Sequence, residues 1–442
     1  MGLTPAKKRL KSCGSYKPLL WKFAQELQAQ CKRCILGPFI LGENSVTNVQ
    51  ADSIASGLKP LSRLSHPREV IRQFTPNWFA ATMGTGILAL ALAQFPVQIP
   101  GLKTIAEGLW VFNILLFGLF TLLYAARWIF FFEGARRIFG HSVVSMFFGC
   151  IPMGLATIIN GFLVFGLSRW GPLALDIATN LWYVDAILAA MCGVSIPYMM
   201  FTRQNHSIDQ MTAVWLLPVV AAEVAAASGA LLASQLADPM HQLTVIIASY
   251  ALWAYSVPVA LGILVILLLR MALYNLPHVS MAASCWLALG PIGTGALGLL
   301  LLGEVSPDSF ITNGLGDYAS GIKSFSLITG VMLWGYGLWW LSIALLITNR
   351  YLREGFPFNL GWWGYTFPLG VYAVATLKIS TLLPIVAFKV FGGILVIVLA
   401  IMWLVVGKRT LVGAWRGELF VSPCLKDEES MLACSLSENL KL

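Results

Sequence analysis

The sequence FNLGWWGYTFPLGVYAVATLK, from Phe358 to Lys378, is apolar enough to lie in lipid, yet it contains a proline at Pro368. A helix that crosses a membrane must satisfy its own backbone hydrogen bonds, because hydrocarbon offers no partner. Proline removes one backbone donor and frees a carbonyl group. Neighbouring helices or a water-filled lumen can satisfy that carbonyl. The stretch therefore predicts an inward-facing helix of a membrane protein.

The composition of the whole chain supports this class of protein. Of 442 residues, 58% are hydrophobic and 11% are charged, and the mean hydropathy is +0.76. An ordinary soluble chain is about 25% charged. Apolar runs of about twenty residues favour spanning helices, and short alternating segments typical of a β-barrel are absent from the sequence. We predict ten spans, at 76–95, 105–132, 143–166, 178–202, 211–233, 242–269, 284–303, 321–348, 361–379 and 382–407.

Basic residues between the spans predict the orientation. Seven follow even-numbered spans (Arg127, Arg136, Arg137, Arg203, Arg270, Arg350, Arg353) and four follow odd-numbered ones (Lys103, Arg169, Lys323, Lys378). Residues 1–72 carry 12 Lys or Arg against 4 Asp or Glu. Because cytoplasmic loops are enriched in Lys and Arg, we expect a multi-pass protein of the plasma or bacterial inner membrane with both termini cytoplasmic. The expected domains are a basic extension (1–72), a transmembrane domain (73–407) and a C-terminal tail (408–442).

A five-fold repeat runs through the transmembrane domain. Every odd-numbered span contains a proline with an aromatic residue two to five positions before it, and successive prolines are 76, 66, 73 and 77 residues apart. These prolines are Pro76, Pro152, Pro218, Pro291 and Pro368. Interrupted helices at matching places in repeated units point to a transport pathway. We therefore predict an all-α membrane protein of five helical hairpins, with an inner ring of odd helices that lines a central pore and an outer ring of even helices.

The sequence offers little for enzymatic or metal chemistry. Cys31 and Cys34 form a single CxxC without a second pair, and the five histidines have no ligand spacing. The glycines Gly84 and Gly86 lack the context of a phosphate-binding loop. We predict no metal, no cofactor and no nucleic-acid partner, although the net charge is +9. A membrane-embedded enzyme or a scaffold is a distant alternative, since either would need clustered polar groups or a polar domain.

Four motifs resemble one transporter family. They are FTPNWFAATMGTG in the first span, MFFGCIPMGLATIING in the third, WLLPVVAAEVAAASGALLA in the fifth and FNLGWWGYTFPLGVYAVATL in the ninth. Together they are similar to the tellurite-resistance and dicarboxylate transporter family, which includes the plant slow anion channels. The third and ninth are most similar to its malate permease and sulfite efflux branch. The resemblance implies five hairpins around a pore, a homotrimer, and passage of small anions such as malate or sulfite. An inorganic-anion channel is the alternative.

Phe367 is the candidate pore gate. The residues before the five prolines are Thr75, Ile151, Leu217, Gly290 and Phe367, so the ninth span alone has an aromatic ring there. A ring in a narrow lumen excludes water, and a dehydrated anion in an apolar gap is strongly disfavoured. The family resemblance implies the same role, because a phenylalanine at this motif position occludes the pore. Packing between helices is the alternative.

Two charged residues are candidates for transport. Glu223 lies well inside an odd span, where a carboxylate costs several kcal/mol unless it is protonated, paired or hydrated. We interpret it either as a proton-coupling group or as a carboxyl that hydrogen-bonds a carbonyl freed by a proline. Lys378 ends the ninth span and is a candidate for anion recruitment. Anchoring of the helix end is the alternative for Lys378.

Overall fold

A computed structural model describes residues 60–355, 357–423 and 425, and these residues form an all-helical structure without strands. The all-α prediction is thereby confirmed. The CxxC at Cys31 and Cys34, the extension up to residue 59 and the tail beyond residue 425 lie outside the described residues. Ten α-helices of at least 12 residues are numbered in chain order: α1 Ala80–Ala93, α2 Leu102–Phe130, α3 Cys150–Gly161, α4 Pro172–Thr202, α5 Leu217–Ala233, α6 Pro239–Tyr274, α7 Leu289–Thr312, α8 Ala319–Glu354, α9 Phe367–Leu382 and α10 Val386–Arg416.

Each odd-numbered helix is preceded by a 3₁₀ segment. The five segments are Pro76–Phe79, Val144–Gly149, Ala213–Leu216, Val279–Trp286 and Leu360–Tyr365. Shorter elements complete the fold: the α-turns Glu69–Arg72, Phe132–Arg136 and Leu167–Trp170, the 3₁₀ turns Arg137–Gly140, Ile208–Gln210 and Gly316–Tyr318, and the π-turn Phe162–Gly166. The repeat seen in the sequence thus recurs in the backbone.

Within the described residues, eight helical segments are long and apolar enough to cross a membrane. The two remaining helices, α1 and α9, have 14 and 16 residues. A 14-residue helix is about 21 Å long, and the four-residue 3₁₀ segment before α1 adds about 8 Å. Their sum is close to the hydrocarbon thickness of about 30 Å. That α1 and α9 also cross the membrane, which would give ten spans, therefore stays a prediction. The even helices have 29 to 36 residues and are longer than the predicted spans.

Odd and even helices differ in burial. In the segments that contain α3, α5 and α7, 72% to 94% of the most apolar stretch is buried, against 17% to 39% in the even helices. Large apolar side chains of the even helices, such as Leu122 and Leu346, are exposed. The even helices therefore present the faces that fit lipid.

The odd helices contact one another in a closed cycle. Along the chain, α1 contacts α3, α3 contacts α5, α5 contacts α7 and α7 contacts α9, and α9 then contacts α1. Each even helix packs against the odd helix before it and the odd helix after it, and α10 packs against α9 and α1. Contacts between even helices are few.

The repeated prolines stand at the beginnings of the helices. Pro76 opens its 3₁₀ segment, Pro218 and Pro368 are the second residues of α5 and α9, and Pro152 and Pro291 are the third residues of α3 and α7. Proline is tolerated in the first turn of a helix, where the missing N–H has little effect on the ladder. The structure thus places four of the prolines where a 3₁₀ segment gives way to an α-helix and Pro76 at the start of its 3₁₀ segment, whereas the sequence suggested that Pro368 interrupts a span.

Five tryptophans, one on each even helix, join successive repeats. Each indole Nε1 donates a hydrogen bond to the next odd helix. The bonds are Trp110 to the Ile158 carbonyl (3.1 Å), Trp182 to the Ala225 carbonyl (2.9 Å), Trp253 to the Gly295 carbonyl (2.9 Å), Trp334 to Thr376 Oγ1 (2.9 Å) and Trp403 to Thr85 Oγ1 (3.0 Å). The last bond joins the fifth repeat to the first. We call this set the tryptophan staples.

Replacing Trp403 by Phe should destabilise the protein by about 0.6 to 1.7 kcal/mol, because the closing hydrogen bond is lost while most of the ring is kept. The measurement is thermal unfolding of the purified protein in detergent. Trp415→Phe is the control, since the Trp415 side chain lies on the same helix and is 55% exposed. Equal melting temperatures for the two variants would contradict a stabilising role for the staple.

Candidate functional site: a cavity where the five repeats meet

A cavity of about 420 Å³ lies where the 3₁₀ segments meet the odd helices. All five repeats contribute to its wall. The contributions include Asn77, Ala80 and Met83 from the first repeat, Val144, Phe147, Cys150 and Met153 from the second, Val214, Leu216, Leu217 and Val220 from the third, Ala283, Ser284, Leu287 and Gly290 from the fourth, and Leu360, Trp363, Gly364, Phe367 and Pro368 from the fifth. The cavity therefore lies at the N-terminal ends of the odd helices.

The wall of the cavity is mostly apolar. Its polar side chains include the amides of Asn77 and Asn359 and the hydroxyls of Ser280 and Ser284. A carboxylate, Glu418, also belongs to the wall. Among the described wall residues there is no Lys, Arg or His. The site can thus offer a ligand hydrogen bonds from neutral groups, without a fixed positive side chain.

Phe367 lies in this wall and is 3% exposed. Of the other residues that precede the repeated prolines, Leu217 and Gly290 also line the cavity. The turn before Phe367 is held by two hydrogen bonds: Thr366 Oγ1 donates to the Trp363 carbonyl (2.7 Å), and Trp363 Nε1 donates to Thr410 Oγ1 of α10 (3.0 Å). The backbone that carries the ring is therefore fixed to α10.

Glycine brings α1 close to the turn that carries Phe367. A Cβ atom at Gly84 would lie 2.2 Å from Thr366 Oγ1 and 2.7 Å from Trp363 Cε3. On the same helix, a Cβ at Gly86 would lie 2.0 Å from Thr157 Oγ1 of α3. Both glycines of the GxG therefore serve close helix packing.

The other four prolines of the repeat are not among the residues that line the cavity. Pro368 alone of the five contributes to the described wall. These four prolines, at the helix or 3₁₀ starts described above, are Pro76, Pro152, Pro218 and Pro291. Their predicted role in lining a pore and bending its helices remains a prediction.

Glu223 lies away from the cavity wall, on the side of α5 that faces α6. It is completely buried, and its Oε2 atom lies 3.4 Å from Ser256 Oγ. Ser256 Oγ also makes a shorter contact with the Val219 carbonyl, at 2.9 Å. The Oε1 atom of Glu223 has no hydrogen-bond partner among the described residues. The structure thus brings a carboxyl and a hydroxyl together between an odd and an even helix.

Lys378 lies at the opposite end of α9 from the cavity, where its Nζ forms an ion pair with the Glu304 carboxylate of α7. Its side chain is 16% exposed. The cation of Lys378 is therefore compensated by a neighbouring carboxylate.

Two arginines near the ends of even helices are buried and bind backbone carbonyls. Arg127 donates to the carbonyl of Phe74 and, at 3.2 Å, to that of Gly134. Arg270 donates to the carbonyls of Asp209 and Asn275, the latter at 2.7 Å. Both guanidinium groups anchor the loops that precede odd helices.

A smaller cavity of about 50 Å³ shares the wall residues Val143 and Val214 with the central one. Its wall includes His206, whose ring contacts Gln204 Oε1 at 2.8 Å. Burial lowers the pKa of His206 below its usual value. The imidazole is therefore neutral at neutral pH and adds no fixed charge beside the central cavity.

Sequence reasoning missed the segment that follows α10. Residues 418–423, the C-terminal strap, contribute Glu418, Leu419, Val421 and Pro423 to the cavity wall. Gly417, with φ of +81°, ends α10 and turns the chain back towards the cavity. This segment lies outside the five-fold repeat, so the repeat gave no sequence signal for it. The staples, in contrast, had a sequence signal, because the five tryptophans are 72, 71, 81 and 69 residues apart.

Comparison with known proteins gives consistent matches across the helical region. Residues 73–411 match the profile of the SLAC1 family, described as voltage-dependent anion channels. A sulfite efflux pump of Arthroderma otae is 38% identical over 79% of this chain and 93% of its own length. An uncharacterized transporter of Methanocaldococcus jannaschii is 30% identical over 80% of this chain and 96% of its own length. The malic acid transport protein of Schizosaccharomyces pombe is 24% identical over 76% of this chain and 77% of its own length.

Proposed function

The chain belongs to the SLAC1 family of voltage-dependent anion channels, which also includes the tellurite-resistance and dicarboxylate transporters, and we propose that it carries sulfite across a cell membrane through a pore closed by Phe367. Anion transport follows from the family itself. The relatives are named as transporters, and none of the three carries an enzyme name. The choice of sulfite rests on the identity of 38% to a sulfite efflux pump, against 24% to a malic acid transport protein.

The observation that carries the proposal is the cavity inside the closed cycle of odd helices. Its wall draws on every repeat, as expected for a pore on a common axis. Each odd helix begins at this cavity, so the positive ends of five helix dipoles lie near the same space. These dipoles favour an anion there without a basic side chain in the described wall. The exposed apolar faces of the even helices would separate this pathway from lipid.

The proposed gate is the ring of Phe367. It is nearly fully buried, and it lies in the cavity wall at the first turn of α9. A ring in this place keeps water away from the axis, and an anion without water in an apolar gap is strongly disfavoured. Rotation of the side chain to another staggered well would open the passage.

We place the protein in the plasma or bacterial inner membrane as a homotrimer, with a pore in each subunit and both termini cytoplasmic. The excess of basic residues in the loops after even helices supports the orientation. The trimer rests on the family resemblance. In this orientation the cavity faces the cytoplasm, because the odd helices begin on the side of the N-terminus. Lys378 would then lie at the outer end of the pathway, where its pairing with Glu304 reduces its use for anion recruitment.

The direct test is anion flux into liposomes that contain the purified protein. Sulfite should be transported, and malate should be transported more slowly or not at all. A chain that carries malate and excludes sulfite would overturn the proposed substrate.

The second candidate, a channel for inorganic anions, is favoured by the family description. Nitrate or chloride currents that reverse at the anion equilibrium potential would support it, whereas saturable uptake driven by a pH gradient would support a carrier.

Replacing Phe367 by Ala should raise basal anion flux about fivefold, because the ring no longer has to leave the lumen at a cost on the order of 1 kcal/mol. The measurement is sulfite flux in the same liposomes without a membrane potential. Phe325→Ala on α8 is the control, since the Phe325 side chain is 51% exposed on an even helix. An unchanged flux in Phe367→Ala would contradict the gating role.

Replacing Glu223 by Gln should abolish the acceleration of sulfite transport by a pH gradient while leaving flux at equal pH nearly unchanged. A protonated Glu223 can donate to Ser256 Oγ while Ser256 donates to the Val219 carbonyl, so the carboxyl has a partner for its proton. The control is Asp185→Asn, which changes a second fully buried acid on the even helix α4. If Glu223→Gln keeps the pH dependence of the wild type, proton coupling through this residue is excluded.

A further inference from the structure

The C-terminal strap brings a negative charge to the mouth of the cavity. Glu418 is its first residue, lies in the cavity wall, and has a side chain that is 42% exposed. Its backbone N–H donates to the Gly413 carbonyl at 2.9 Å, which closes the turn after α10. Glu418 thus borders both the cavity and the solvent.

The strap is fixed at its other end as well. The Phe420 ring stacks on Trp78 with centroids 4.9 Å apart. The Ser422 N–H donates to Gln73 Oε1 at 2.7 Å, and Ser422 Oγ accepts from Arg127 at 3.2 Å. Because Glu418 lies between these anchors and the end of α10, its carboxylate has a defined place at the mouth.

Among the described residues, Arg63 forms an ion pair with Glu418. Arg63 Nε lies 3.8 Å from Glu418 Oε1, and the Arg63 side chain is 72% exposed. An exposed pair at this distance is weak and is screened by salt. Since the described wall contains no Lys, Arg or His, Glu418 is its one charged residue.

We propose that Glu418 is a charge filter that makes the pathway favour singly charged anions over doubly charged ones. The inference rests on the proposed anion transport and deepens it by naming the substrate class. The Coulomb energy of an anion near Glu418 is proportional to the charge of the anion. At about 7 Å in water this energy is about RT for a single charge, which lowers the local concentration about threefold for a monovalent anion and about sevenfold for a divalent one.

A charge filter would discriminate between the two charge states of sulfite. In water near neutral pH, sulfite is a mixture of hydrogen sulfite, with one negative charge, and the sulfite dianion. The two species have the same sulfur and oxygen atoms and differ by one proton. A filter based on charge therefore selects hydrogen sulfite, and it acts against the malate dianion in the same way.

The test compares Glu418→Gln with the wild type in liposomes at low ionic strength and far below saturation. Sulfite flux is measured at one pH where hydrogen sulfite predominates and at one where the dianion predominates. Nitrate, which is monovalent at both, serves as the reference anion. The variant should raise flux about sevenfold for the dianion and about threefold for hydrogen sulfite and nitrate. Arg63→Gln should have the opposite effect, with the larger loss for the dianion.

Two controls separate charge from structure. Glu354→Gln removes a carboxylate that pairs with Arg350 and lies outside the cavity wall, and it should leave flux unchanged. Concentrated impermeant salt should remove the effect of Glu418→Gln, because the Debye length falls to about 3 Å at 1 M. A structural effect of the substitution would persist in salt.

The outcomes distinguish this inference from the proposed function. Equal changes for dianion and monoanion, no change at all, or a change that resists salt would each overturn the charge filter. Wild-type liposomes that pass neither sulfite nor nitrate would overturn the transport proposal, and the filter with it. If the wild type transports anions and Glu418→Gln does not change the flux, the charge filter is overturned and the transport proposal stands.

Discussion

Hydrocarbon provides no hydrogen-bond partner for a backbone N–H or C=O group, and this constraint decides where each kind of helix lies. The five repeated prolines beside the 3₁₀ segments interrupt the regular hydrogen-bond ladder and are all buried, whereas Pro258 inside the even helix α6 is exposed. All five interruptions precede odd helices, which are buried, and the even helices that face outward are long. Because the interrupted ends are collected on the inside, they also form the wall of the cavity. The 3₁₀ segments, whose irregular backbone is unfavourable in lipid, thus form part of the candidate site.

The sequence predicted the parts of the fold that repeat along the chain. Proline and aromatic residues recur at similar spacing, and that regularity correctly separated the odd helices from the even ones. The start of α9 was harder to predict from the sequence, because Pro368 appeared to interrupt a span. In the structure, a 3₁₀ segment precedes Pro368, and Pro368 lies in the first turn of α9. Propensity does not distinguish a 3₁₀ turn that continues into a helix from a kink within one. The partner of Lys378 was also hidden, because Glu304 is 74 residues away and the pair forms only after α7 and α9 pack together.

Contacts between repeats were the hardest to predict from sequence. The tryptophan staples have a regular spacing, but each bond runs from one repeat to the next, and the last one connects positions 318 residues apart. The spacing identifies the donors without identifying their acceptors, three of which are backbone carbonyls. The C-terminal strap has no counterpart in the other repeats. From the sequence, Glu418 was therefore indistinguishable from the other acidic residues of the predicted C-terminal tail (408–442), because the turn at Gly417 is visible only in the structure.

Close packing among the odd helices limits how the proposed pore can open. A Cβ atom at Gly149 would lie 2.1 Å from the Leu217 carbonyl oxygen, and one at Gly293 would lie 3.0 Å from the Tyr372 backbone nitrogen. Backbones this close cannot slide without losing contacts on both sides, and packed interiors resist such shifts. Motion that is cheap in free energy is left to side chains. On the proposed mechanism, the Phe367 ring is thus the element that can respond to an anion while the cycle of helices stays in place.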